Sequence, residues 1–144
     1  MAIMERRTPW HFWLVTILAL LFYGGGSYNY LMMQSDNAAY LESYTPEQLA
    51  YFETAPIWFD AAWAIGVWFA LLGALLMLLK SRFAVSALLL GLVGFAIATL
   101  HQFSGAAPAS MTTGLGMIST IVLGVIQVAI FVYAMAMARK RVLR

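Results

Sequence analysis

Polar and apolar positions sort this chain into four long apolar runs separated by short polar segments. The most continuous run is Trp58 to Leu79, WFDAAWAIGVWFALLGALLMLL, whose single charge is Asp60. About 20 apolar residues rising 1.5 Å each match a hydrocarbon layer of roughly 30 Å, so the run predicts a membrane-spanning helix. Pro56 precedes it, where a helix start tolerates proline, and Lys80 and Arg82 close it. The predicted spans are about 10–33, 57–79, 83–103 and 112–138. Together they make an all-α, polytopic transmembrane four-helix bundle, one domain over 1–144, with a polar outer loop at 34–55.

Finer patterning fills in each run. Thr8-Pro9 reads as an N-cap followed by proline at the first helical position, and Trp10, Phe12 and Trp13 suit an interfacial aromatic belt. Thr16, Tyr23, Ser27, Tyr30 and Gln34 form a polar stripe at helical spacing, a face suited to packing against another helix. A competing reading of the same stretch is a secretory signal peptide. Arg6 and Arg7 would be its charged region, Trp10 to Tyr23 its apolar core and Gly24-Gly25-Gly26-Ser27 its cleavage zone. The apolar character resumes through Tyr28, Tyr30, Leu31, Met32 and Met33, which favours a full span.

Between the first two spans, Thr45-Pro46-Glu47-Gln48 predicts a capped helix start, with Gln48 at the capping-box position. One or two short amphipathic helices on the membrane surface are expected there, as a plain connector or as a lid over the bundle. The Lys80-Ser81-Arg82 turn is so short that the second and third helices must be antiparallel neighbours. Ala62, Gly66, Ala70 and Gly73 share one face of the second helix, and Ala87, Gly91, Gly94 and Ala98 share one face of the third. Two such faces allow close backbone approach. On the fourth, Gly116, Thr120, Gly124 and Gln127 align, and a mid-membrane amide should turn inward to bond a neighbouring helix.

Composition agrees with this architecture. Of 144 residues, 63% are hydrophobic and 10% charged, against about 25% charged in ordinary soluble domains. The absence of cysteine excludes disulfides, thiolate metal sites, covalent haem attachment and cysteine nucleophiles. The pI near 9.1 does not imply nucleic acid, because the basic residues sit at helix ends. Four spans place all eight Lys and Arg residues on one side, with the acidic loop on the other. The positive-inside rule then predicts that the basic side, with both termini, is cytoplasmic.

Candidate chemistry is sparse. Asp60 lies 21 residues before Ser81 and His101 lies 20 after it, so antiparallel helices bring them to one depth, with Gln102 adjacent. An Asp–His pair there could relay a proton or hold a polar ligand. The plainer alternative is a carboxylate favoured by a helix start and a histidine at the headgroups. Asp60 lies about 100° around from the centre of its helix's small face, so water or Gln102 could bridge the two. Tyr23, Asn29 and Gln127 complete the candidate polar-ligand or proton set. No metal site is expected, because only two ligands can be named, and no cofactor is expected either. His11 and His101 fall at opposite surfaces, which excludes a bis-histidine haem, and the nine methionines read as packing filler. No catalytic set is complete, so the chain does not read as an enzyme.

The chain resembles a family of small bacterial four-span inner-membrane proteins often labelled sugar transporters. The resemblance rests on Arg7-Thr8-Pro9-Trp10-His11, on Tyr44-Thr45-Pro46-Glu47-Gln48-Leu49 with Tyr51-Phe52, and on Trp63-Ala64-Ile65-Gly66-Val67-Trp68. The closing Ala134-Met135-Ala136-Met137-Ala138-Arg139 with Val142-Leu143-Arg144 also fits, so it covers nearly the whole length. Members of that family often carry Asp where Asn29 stands here, which weakens a charged site on the first helix. The label implies transport of a small polar molecule, for which so few helices would have to assemble as a homo-oligomer. A non-catalytic accessory or assembly subunit of a larger membrane complex is the alternative.

Overall fold

The computed structural model describes residues 8–35 and 38–144; Glu5, Arg6 and Arg7 of the expected basic N-terminus, and Asp36 of the loop, lie outside the described residues. Four long helices carry the fold: α1 (Trp10–Gln34), α4 (Ile57–Leu78), α5 (Phe83–His101) and α7 (Gly114–Arg139). Three short ones connect them: α2 (Ala38–Leu41), α3 (Pro46–Glu53) and α6 (Ala109–Thr112). Each long helix is long and apolar enough to cross a membrane, so this is a multi-pass membrane protein. In order of contact, α1 lies on α4, α4 on α5 and α5 on α7. Both ends of α1 and α7 nearest the basic turn come together, where His11 Nδ1 and the Tyr133 hydroxyl share a 2.6 Å hydrogen bond.

The tightest of these contacts, between α4 and α5, follows from the two small faces. Ala62, Gly66, Ala70 and Gly73 of α4 are buried, as are Ala87, Gly91 and Gly94 of α5. A Cβ added at Gly94 would lie 2.5 Å from the Gly66 nitrogen and 2.6 Å from the Ala62 oxygen. Backbone therefore rests on backbone. The polar stripe of α1 is a packing face over much of its length: Thr16, Tyr23 and Ser27 are buried, and Ser27 Oγ donates to the Val67 oxygen of α4 at 3.3 Å. Gln34 at its end is exposed.

Several boundaries differ from the sequence reading. Pro9, and not Thr8, is the N-cap of α1; its extended backbone (φ −66°, ψ 148°) presents a carbonyl that accepts from the Phe12 N–H at 3.0 Å. The α-helix of the third span stops at His101, and Gln102–Ala106 forms a π-helical turn interrupted at Gly105, whose φ of 98° is a conformation only glycine adopts without strain. The fourth span starts at Gly114 and not Thr112, because Thr113 is extended (φ −132°, ψ 162°) and separates α6 from α7. The capping box at Thr45 forms as expected: Gln48 N–H donates to Thr45 Oγ1 at 3.2 Å, and Thr45 N–H donates to Gln48 Oε1 at 3.1 Å.

The basic end is more ordered than a simple tail. Both α4 and α7 close on a left-handed basic residue, Lys80 (φ 56°) and Arg141 (φ 59°). In each, the next N–H reaches back across the turn, Ser81 to the Leu76 oxygen and Val142 to the Met137 oxygen. This is the Schellman pattern, at a cost of about 1 kcal/mol for a side chain where glycine is usual. The tail then folds back: Arg82 N–H donates to the Arg144 oxygen at 2.9 Å, and Arg144 N–H donates to the Lys80 oxygen at 2.7 Å. Val142 and Leu143 are buried as a result.

The α4–α5 contact yields a direct test. Gly94→Ala should destabilise the bundle by about 1–3 kcal/mol or more, because the methyl meets backbone that cannot rotate away. Gly124→Ala, whose methyl would meet only the edge of Phe95 at 3.3 Å, should stay within about 1 kcal/mol. Unfolding in mixed micelles measures both.

Candidate functional site

The half of the bundle nearest the basic end carries many of the fully buried side chains. Phe12, Thr16, Ala19, Ala70, Ala74, Met77, Ala134 and Met137 are buried together there. From mid-depth towards the other end, the four long helices line a partly open cavity of about 230 Å³. Its wall is largely aromatic and aliphatic: Phe22, Trp63, Val67, Phe95, Ala98 and Leu123, with Gly26 and Gly66. Three polar side chains reach it, Tyr23 and Asn29 from α1 and Gln127 from α7. Gln127 is buried as expected, yet it makes no hydrogen bond to a neighbouring helix among the described residues; its amide borders the cavity instead.

The remaining candidates go elsewhere. Asp60 lines a separate cleft of about 220 Å³, at the end opposite the basic residues, with Gln34, Glu53, Phe52 and Trp63. His101 sits under α3, stacked on Tyr51 (5.5 Å between ring centres, 20° between planes) and in contact with Phe59 and Trp58 at 4.8 and 5.0 Å. Asp60 and His101 do share a depth, since the two residues preceding Asp60 pack on the imidazole. Helix rotation keeps them apart, and no ion pair or hydrogen bond joins them among the described residues. Gln102 does not bridge them: its amide donates to the Met111 oxygen at 2.7 Å and to Thr120 Oγ1 at 3.2 Å, tying the turn after α5 to α6 and α7. Among the described residues no group of three or more metal-ligating side chains comes together.

The connector forms a strap across the end opposite the basic residues. Tyr40 and Tyr44 both donate their hydroxyls to Asn29 Oδ1, so one cavity-lining residue anchors the strap. Tyr51 is buried against His101 and Phe59, Phe52 packs on Trp63 at 5.3 Å, and Gln48 Nε2 donates to Ser110 Oγ at 3.3 Å. No spacing in the sequence announces this aromatic assembly of Tyr40, Tyr44, Tyr51 and Phe52, which forms only when the connector folds onto α1, α4 and α5. The same holds for Trp63. It faces both the cavity and the Asp60 cleft, and it is held edge-on by Tyr30 at 5.0 Å.

Burial pushes the Tyr51 phenol up to about 12. Burial, and then the hydrogen-bonded Tyr40, do the same to Tyr44. A free phenol ionises near 10, so the docked strap holds its protons longer than an undocked one. Docking is at full strength below pH about 10 and weakens as pH climbs towards about 12. The Tyr51 hydroxyl is buried with no hydrogen-bond partner among the described residues. Tyr51→Phe should therefore leave stability unchanged or raise it by up to about 1 kcal/mol, and should shrink the alkaline loss. Thermal melts of the two proteins at pH 8 and pH 11 would show both effects.

The chain matches no family model, no curated protein and no solved structure.

Proposed function

We propose that this protein binds a small, mostly apolar molecule carrying one or two hydrogen-bonding groups, inside the membrane, in the cavity between α1, α4, α5 and α7. The observation that carries this reading is the wall of that cavity: aromatic and aliphatic side chains interrupted by Tyr23, Asn29 and Gln127. Ligand sites commonly combine an apolar lining with a few placed polar groups. A cavity of about 150 Å³ accepts benzene, so 230 Å³ leaves room for something larger than one aromatic ring. A sugar fits less well, because it brings a hydroxyl on nearly every carbon and each unpaired one is costly to bury. The acidic cleft beyond Trp63 is the route of entry in this reading, and the packed half below ends it. Handling of the ligand is then capture at mid-membrane, the first step a carrier would need, rather than conduction through an open pore.

In the same reading the basic end faces the cytoplasm of a bacterial inner membrane, by the positive-inside rule. Cysteines introduced at Ser43 and Ser104 should then label from outside and one at Ser81 should not; labelling of Ser81 from outside reverses the orientation.

Gly26 allows the cavity to be closed without disturbing the bundle. A Cβ there would meet nothing nearer than Val67 Cγ1 at 4.0 Å. Gly26→Leu should keep the protein folded, with an unchanged or higher melting temperature, while a small molecule that co-purifies with the wild type from native membranes is lost. Small-molecule mass spectrometry of both preparations decides the matter. An identical small-molecule complement in wild type and variant removes the cavity as the binding site. A stoichiometric protein subunit in place of any small molecule supports the accessory role.

A further inference from the structure

Arg82 stands at the start of α5 and Arg139 at the end of α7. Their helices run antiparallel, so both arginines reach the basic end. There they border one open groove of about 400 Å³, whose floor continues towards the membrane centre along Phe83, Val85, Ser86 and Met135. The Arg82 guanidinium lies 6.0 Å from the Phe83 ring. We propose that this groove seats an anionic phospholipid, its phosphate between Arg82 and Arg139 and an acyl chain along Val85 and Met135. This site is independent of the central cavity.

Three observations support the assignment. The first is charge. Arg82 and Arg139 both line the groove, and among the described residues no acidic side chain does. The second is geometry. Arginine's planar fork suits a phosphate, and basic pockets between transmembrane helices at the membrane surface favour anionic headgroups. The third is the apolar floor. A free anion would gain nothing from Phe83, Val85 and Met135, whereas a lipid covers them and leaves its charge at the arginines. The folded-back tail reinforces the site, because the Arg82–Arg144 and Arg144–Lys80 backbone bonds fix the turn from which Arg82 projects.

The test uses the full chain in neutral detergent, with short-chain phosphatidylglycerol as the probe and native mass spectrometry as the readout. Phosphatidylglycerol should bind at least about tenfold tighter than phosphatidylcholine of the same chains, and Arg82→Gln with Arg139→Gln should weaken it roughly 30-fold. Lys140→Gln with Arg141→Gln removes the same charge outside the groove and should cost less than about threefold. Equal losses from the two pairs would show diffuse attraction and overturn the site. Inorganic phosphate displacing the lipid at similar concentration would show a bare-anion site and overturn the lipid. Ser86→Phe obstructs the groove without altering charge and should abolish tight binding even if the arginine pair fails to fold; unchanged affinity in that variant would overturn the proposal.

Discussion

Backbone contact between Gly66 and Gly94 is the constraint from which the rest of the structure follows. In lipid, helices gain nothing by hiding apolar side chains from one another, so association depends on close packing and on hydrogen bonds. The α4–α5 pair meets that requirement with Gly66 against Gly94 and Ala70 against Gly91. The short turn at Lys80–Arg82 brings the two helices side by side at little entropic cost. Once their rotation is set, Trp63, Val67 and Phe95 must point where they do, and α1 and α7 can only dock on the flanks that remain.

That docking divides the bundle into two halves of different character. Near the basic end the side chains between α1, α4 and α7 are small or well matched, and the interior closes around Ala19, Ala74 and Ala134. Farther out, Gly26, Gly66 and Ala98 are too small, and Trp63 and Phe95 too rigid, to fill the space between four helices. The cavity is what remains. The strap of α2 and α3 sits above it, held by aromatic stacking and by two tyrosine hydroxyls on one amide oxygen. Asn29 thus belongs at once to the strap and to the cavity wall.

The basic end follows a different logic. Two helices close on left-handed Lys80 and Arg141, where glycine would be less costly, and the tail returns to pair with the turn it faces. Those residues carry their charges at the ends of the apolar helices, and Lys80 lies 5.4 Å from the ring of Trp13. A glycine would relax the backbone but remove the anchor.

Local patterns alone determined the four spans, the small faces of α4 and α5, the capping box at Thr45 and the gathering of basic residues at the ends of helices. Each depends on spacing within one segment or on the chemistry of a few adjacent residues, which a linear sequence displays. The depth shared by Asp60 and His101 was legible for the same reason, since rise per residue is constant. Their separation was not, because it depends on how far each helix is turned about its axis, and that angle is set by partners distant in sequence. The inward turn of Gln127 could be read from its aligned glycines, but the cavity it borders arises only when Gly26, Trp63 and Phe95 come from three helices to one place. The groove between Arg82 and Arg139, the strap on Asn29 and the burial of Val142 and Leu143 likewise exist only after α4 and α5 have locked, since each joins residues that no sequence spacing relates.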